Sequence, residues 1–387
     1  MKTEQLDAQY IAGTYARYPV VMDHGKGSLV YDEAGKEYID LGSGIAVTSF
    51  GFADDAWQAA VTEQLGKLQH SSNLYYTKPA AQLAQTLCER TGMKKVFFSN
   101  SGAESNEAAV KVARKYAADK YGPERYTIVT LNDSFHGRTI TTLSATGQDV
   151  FHKLFQPLTP GFAMIDAGDT AALQAIHEQT PVAGVLIELV QGEGGVHVLD
   201  PEWVAELQDY CAAQDIVFMI DEVQTGNGRT GELFAFQNYG LKPDVVSTAK
   251  GLAGGLPLGA TMMNDKTQDV LGFGDHGSTF GGNPVCCAAA QSVVDRLDAD
   301  FLAQVKAKSE YLMDALANMD GVTEVSGLGL MIGFRTEKPA VEVQQLCRDN
   351  GVLVLTAKDK VRLLPALNIP QELLERAVGV IAAACAS

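Results

Sequence analysis

At 387 residues, 46% hydrophobic and 20% charged, the chain is too long for one small core and too apolar for a disordered one. A formal charge of −17, from 30 basic and 47 acidic residues, repels phosphate backbones and anionic lipid, and no local basic patch offsets it. Neither nucleic acid nor membrane is therefore expected as a partner. The opening "MKTEQLDAQY" lacks the apolar stretch of a signal peptide, and runs such as "PVAGVLIELV" are too short to cross a bilayer, so a cytoplasmic chain is expected. The six cysteines, at 88, 211, 286, 287, 347 and 385, show no C-x-x-C and no metal-ligand spacing. They read as buried thiols, with no disulfide and no metal.

In chain order, "LVYDEAGKEYIDL" reads as a hairpin, and residues 1–45 are expected to pack with the C-terminal part. Residues 46–280 then alternate strand-like and helix-like stretches, as in α/β proteins. "KKVFFSNS", "RYTIVTLND", "VAGVLIELV", "IVFMID" and "DVVSTAK" are continuously apolar instead of alternating, which suits a mainly parallel sheet covered on both faces. Between them, "AESNEAAVKVARKYAADKY" and "PEWVAELQDYCAAQ" repeat apolar residues at three and four, as helices do. After "GGNPVCCAAAQSVVDRL" the texture changes, and residues 281–387 read as a smaller α+β domain with helix-like stretches around "GVTEVSGLGLMIGF" and "GVLVLTAKDKVRLLPAL".

Several strand-like runs end on residues out of keeping with a buried strand. In open parallel sheets ligands bind beyond the carboxyl ends of the strands, so these ends share one edge. "VFFSNSGAES" passes through Ser101, Gly102 and Ala103 into a helix expected to start near Glu104; its free amides suit an anion, although S-x-x-E is also an ordinary capping box. "NDSFHGRT" places Phe135, His136 and Arg138 past the next strand: a ring that could cover a planar group, a histidine equally suited to a hydrogen-bonded turn, and a guanidinium that suits a carboxylate. "IVFMID" ends on Asp221, which either caps a turn or faces a cation such as a protonated pyridine nitrogen. "DVVSTAK" ends on Lys250, either a surface lysine or the amine of a Schiff base, followed by the roomy "GLAGGLPLG". Together a phosphate cradle, a ring cover, a pyridinium partner and an amine are what pyridoxal phosphate requires.

On these residues, and on "GKGSLVYDEAGKEYIDLGSGIAV", "ELVQGEGGV", "IDEVQTGNGRTGELFA", "HGSTFGGNP" and "VRLLPALNI", the chain resembles the class III pyridoxal-phosphate aminotransferases of fold type I, the aspartate aminotransferase-like transferases. The likeness covers essentially the whole chain and is greatest to the acetylornithine-type members. It implies pyridoxal 5'-phosphate held on Lys250, with Asp221 at the pyridine nitrogen. Phe135 and Val223 would take the ring faces and Gln224 the phenolic oxygen, with Glu222 also in the cofactor shell. Ser101, Gly102 and Ala103 would cradle the phosphate, joined by Thr279 from a second subunit of a homodimer. The resemblance further implies that Arg138, with Ser278, takes the α-carboxylate of N-acetylornithine, that Arg362 takes that of 2-oxoglutarate, and that Glu193 pairs with Arg362 in between.

Gly44 stands where ornithine-type relatives tend to carry tyrosine, which favours an N-acylated donor but does not separate acetyl from succinyl. "GFADDAW" and the Pro365–Ala366 pair of "LLPAL" depart from the usual family pattern beside the expected pocket. Transaminases acting on ornithine, 4-aminobutyrate or N-succinylated diamines stay open as alternatives. A nicotinamide-dependent dehydrogenase is disfavoured, because "GLGLMIG" misses the G-x-G-x-x-G spacing. A catalytically silent protein would have no chemical need for Lys250, Asp221, Arg138 and Arg362 together.

Overall fold

A computed structural model describes residues 2–386. Its centre is a seven-stranded sheet in the order Lys95–Ser99, Gly259–Met263, Val245–Thr248, Val217–Asp221, Val182–Ile187, Thr127–Leu131, Phe162–Ile165. All strands run parallel except Gly259–Met263, which is antiparallel to both neighbours. The five apolar runs are all present; Gly259–Met263 and Phe162–Ile165 add two strands that glycine and proline punctuation obscures in the sequence. Every residue of the strands at 127, 182, 217, 245 and 259 is buried, which explains why these segments are apolar without alternation.

Helix Gly102–Tyr121 lies across this sheet on a stripe of small residues, including Ser105, Ala108, Ala109 and Ala113. It starts at Gly102, two residues before the expected Glu104, because the Ser101 hydroxyl already accepts the Glu104 amide at 3.2 Å. The Glu104 carboxylate closes the turn by accepting the Asn100 amide at 2.6 Å.

The expected hairpin is Leu29–Asp32 with Glu37–Asp40, extended by Met22–Lys26 on one side and by Val352–Leu353, parallel to Ile39–Asp40, on the other. A second, antiparallel sheet runs Val322–Leu328, Met331–Thr336, Lys360–Leu363, Leu355–Ala357 and packs with helices Ala299–Ala317, Ala340–Asp349 and Gln371–Ala386. The register Gly333↔Arg362 fixes where Arg362 stands on that sheet. All six cysteines are free.

Candidate active site

The carboxyl edge of the central sheet opens into a cavity of about 630 Å3. Ser101, Gly102, Ala103, Phe135, Arg138, Asp221, Val223, Gln224 and Lys250 all line it. Four βα units therefore deliver their chemistry to one place, as the shared strand edge requires.

Asp221 ends the Val217–Asp221 strand and is 3% exposed. Its Oδ2 accepts from Asn106 Nδ2 at 2.7 Å and from His136 Nδ1 at 2.8 Å, and its Oδ1 from the Val223 amide at 2.9 Å. Since a carboxylate only accepts, His136 carries its proton on Nδ1. Asn106 is itself fixed, donating to His136 O at 2.8 Å and accepting from Ser247 Oγ at 2.5 Å. No lysine or arginine pairs with Asp221 among the described residues, so a cation entering the cavity meets no competitor there.

Lys250 lies two residues past the Val245–Thr248 strand, opening the 3₁₀ turn Lys250–Ala253 with φ +44°. A left-handed non-glycine residue is strained and persists only where its surroundings hold it. Here Asn227 Nδ2 donates to Thr248 Oγ1 at 2.9 Å and Ala249 O at 3.2 Å, and Ser49 Oγ donates to Gly251 O at 3.2 Å. Burial pushes the Lys250 amine below the ordinary lysine pKa, and the Arg362 charge adds to the effect, while Glu193, Asp221 and Glu188 oppose it. A lowered lysine pKa raises the fraction of neutral, nucleophilic amine.

At the start of the Gly102–Tyr121 helix, a Cβ on Gly102 would fall 2.6 Å from Val223 Cγ1. Only glycine lets the helix start, with its free amides and positive dipole end, reach the loop after Asp221. Across the cavity the Arg138 guanidinium stacks 4.0 Å from the Phe151 ring centroid and 5.5 Å from that of Phe135, with no carboxylate partner among the described residues.

Arg362 and Glu193 stand behind Gln224 and do not line the cavity itself. Arg362 Nη1 donates to Glu193 Oε1 at 2.8 Å and to Gln224 Oε1 at 3.2 Å, and Gln224 Nε2 donates to the same Glu193 oxygen at 3.3 Å. Burial pushes the Glu193 carboxyl up, but the charge and hydrogen bond of Arg362 outweigh it and hold the group below the usual carboxylate range.

Besides Arg362 and Glu193, three more expected residues do not line the cavity. Glu222 is turned into its own loop, where its carboxylate accepts Thr225 Oγ1 at 2.5 Å and the Phe236 amide at 2.8 Å; burial pushes its pKa up to about 7. It braces the loop after Asp221 instead of facing a cofactor. Ser278 and Thr279 line an adjoining cavity of about 530 Å3 with Asn100 and Phe280, and Ser278 Oγ accepts from Asn100 Nδ2 at 3.1 Å.

The profile of the family described as Aminotransferase class-III matches residues 10–385. The chain belongs to the class III aminotransferases. It is 52% identical over 381 residues to an acetylornithine aminotransferase of Haemophilus ducreyi, covering 98% of this chain and 97% of that protein. An acetylornithine aminotransferase of Aquifex aeolicus is 44% identical over 375 residues, covering 96% and 98%. Among solved structures, the N-acetylornithine aminotransferase of Stenotrophomonas maltophilia superposes with a TM-score of 0.85 at 34% identity over 99% of this chain and 98% of that one. The ornithine aminotransferase of Toxoplasma gondii superposes with a TM-score of 0.94 at 31% identity over 100% and 96%. The protein is a pyridoxal-phosphate-dependent transaminase with small-molecule substrates.

The residues present fit that cofactor: a pKa-lowered amine, a buried, three-fold hydrogen-bonded carboxylate and a helix start all line one cavity. Sequence reasoning missed several lining residues of this aminotransferase. Glu188, one residue past the Val182–Ile187 strand, is a charge inside the apolar run "VAGVLIELV", where the apolar Leu189 and Val190 that follow it hide the strand end. Its Oε2 accepts the Phe135 amide at 2.8 Å, and burial, with Asp221 nearby, raises its pKa well above the usual carboxylate range. Asn106 was missed because an asparagine inside a helix gives no local sign that it faces a carboxylate. Tyr15 and Val47 also line the cavity, from segments remote in sequence.

Proposed function

We propose that this aminotransferase transfers the terminal amino group of N2-acetyl-L-ornithine to 2-oxoglutarate in two half-reactions, giving N-acetyl-L-glutamate 5-semialdehyde and L-glutamate, the chemistry of arginine biosynthesis. The observation that carries this reading is 52% identity over 98% of the chain to an acetylornithine aminotransferase. The fold alone does not choose, because an ornithine aminotransferase superposes more closely than the N-acetylornithine enzyme does. Gly44 supports an acylated donor: it has φ +62° and a Cβ there would meet only Val47 Cβ, at 3.7 Å, so space is left beside a residue that lines the cavity.

When bound, the cofactor supplies an electron sink for charge developing on the substrate carbon. Lys250 Nζ would hold it covalently, Asp221 would keep its pyridine nitrogen protonated, and Phe135 and Val223 would flank its ring. Gln224 would reach its phenolic oxygen, and Ser101, Gly102 and Ala103 its phosphate. Lys250 Nζ also takes and returns the proton at the substrate carbon that bears the amine, which suits an amine whose pKa burial has lowered. Arg138, exposed on the cavity rim without a carboxylate partner among the described residues, would take the donor's α-carboxylate, and Arg362 that of the oxo acid. Glu193 masks Arg362 until the oxo acid arrives, a reading supported by their 2.8 Å ion pair.

A homodimer supports the remaining roles. Ser278 and Thr279, which line an adjoining cavity, would serve the neighbouring subunit's cofactor, and the exposed Tyr76 and Phe273, at 106% and 112%, offer apolar surface for that contact. The assembly is organised as an N-terminal segment 1–45, a cofactor-binding domain 46–280 and a small domain 281–387. A cytoplasmic location accords with the described helices, none of which is long and apolar enough to cross a membrane.

Initial rates with N-acetylornithine, N-succinylornithine, ornithine and 4-aminobutyrate against 2-oxoglutarate test the substrate. N-acetylornithine is expected to give the highest kcat/KM; an equal or higher value for ornithine or 4-aminobutyrate would overturn the assignment.

A further inference from the structure

Arg229, on the loop that follows Asp221, is 2% exposed, yet no carboxylate pairs with it among the described residues. Burial lowers its pKa to about 9, so it remains a cation at neutral pH. A buried cation without a counter-charge is costly, and an apolar side chain of similar size would pack at lower cost.

Both bonds go to the sheet that carries Arg362. Arg229 Nη1 donates to Leu330 O at 3.0 Å and to Pro365 O at 2.6 Å, and the Arg229 carbonyl accepts the Leu330 amide at 2.9 Å. The ladder between Met331–Thr336 and Lys360–Leu363 ends at Ile332↔Leu363, one rung beyond Gly333↔Arg362. Leu330 and Pro365 lie two residues further along the two chains. Proline has no N–H to donate there, so the backbone cannot bridge these carbonyls. The guanidinium bridges them instead, as a side-chain rung that ties off the sheet immediately past Arg362. The Leu330 turn is pressed onto the same loop: a Cβ on Gly329, at φ +59°, would fall 2.4 Å from Arg229 O. Gln224, on the same loop, holds Arg362 directly at 3.2 Å.

We propose that Arg229 is a positioning residue for the oxo-acid half of the reaction, fixing how the Lys360–Leu363 strand presents the Arg362 guanidinium to the Lys250 cavity. The proposal rests on the reading of Arg362 as the ligand of the oxo-acid carboxylate. It acts through backbone, since Arg229 touches neither the cavity nor Arg362. A mere staple of the fold would affect both substrates alike; a positioning residue affects the one that Arg362 binds.

The test compares Arg229→Met, Arg229→Lys and Gly329→Ala holoenzymes with the unaltered one. The measurements are kcat and KM for each substrate, the inhibition constant of the unreactive dicarboxylate glutarate, and Tm. Arg229→Met is expected to raise the KM for 2-oxoglutarate and the glutarate constant about tenfold or more, and the KM for N-acetylornithine by less than about twofold, as for a small misplacement of one binding group. Arg229→Lys, which keeps the charge but not the planar fork, should fall between the two. Gly329→Ala, which shifts the same turn with Arg229 still present, should reproduce the selective defect and decides the matter if Arg229→Met does not fold. Equal changes for both substrates, or a fall in Tm with unchanged glutarate binding, would overturn the proposal. Arg362→Lys is the control: if it leaves glutarate binding unchanged, the reading of Arg362 has failed and the proposal falls with it. If Arg362→Lys weakens glutarate and Arg229→Met does not, the role of Arg229 alone is refuted.

Discussion

Replacing Glu193 with glutamine removes the charge that masks Arg362 while keeping a side chain of the same size. At 2.8 Å and an effective dielectric of about 20, the gross attraction is about 6 kcal/mol. Most of that is offset, because Arg362 is only 3% exposed and must be desolvated, Glu193 is 28% exposed, and glutamine can still accept from Arg362. A net cost of about 1–2 kcal/mol for opening the pair corresponds to roughly five- to thirtyfold. Glutamate must break the pair to reach Arg362, whereas N-acetylornithine benefits from its staying closed. Single-turnover kcat/KM for glutamate relative to N-acetylornithine is therefore expected to rise by that factor in Glu193→Gln. An unchanged ratio would refute the masking role and leave the ion pair a structural contact.

Two further outcomes follow from the same geometry. Asp221→Asn keeps the shape but removes the charge and sets an NH2, which cannot accept, against at least one of three donors, so kcat with excess cofactor should fall at least about 100-fold while the folded protein loses about 1–3 kcal/mol of stability; retention of a tenth or more of the activity would contradict the pyridinium role. Glu188 has a folded pKa above its ordinary 4.5, so it binds its proton more tightly when folded, and wild-type stability is lost from this group as pH rises from 4.5 towards the folded value. In cofactor-free protein, Glu188→Gln should therefore gain Tm relative to wild type between pH 5.5 and pH 8, and a gap that is constant or shrinks with pH would show that the carboxyl is already ionised in the fold.

The central sheet was legible in the sequence because its strands are buried on both faces and lack the alternation of half-exposed ones. Gly259–Met263 was not, because it follows the loop that leaves Lys250 and its antiparallel direction leaves no local mark. Asp221 and Lys250 stood out as charges closing apolar runs. Glu188 sits at a strand end too, but the apolar Leu189 and Val190 continue the run beyond it, so no break in the sequence marks the place. Glu222 illustrates the converse, since adjacency to Asp221 suggested the cofactor while backbone geometry points its side chain at Thr225 and Phe236. Asn106, Tyr15 and Arg229 act through contacts between segments far apart in the chain, which periodicity and spacing do not encode.

The central claim is that Lys250 carries the cofactor and that the same site accepts the terminal amine of N-acetylornithine. The most direct test is the visible absorption spectrum of the purified protein, recorded before and after adding N-acetylornithine without any oxo acid. The account predicts a band of bound pyridoxal phosphate that disappears as the pyridoxamine form appears, and no such band in Lys250→Ala. A band that persists with N-acetylornithine but is lost with ornithine, N-succinylornithine or 4-aminobutyrate would contradict the substrate, and its absence in cofactor-supplied wild-type protein would contradict the role of Lys250 itself.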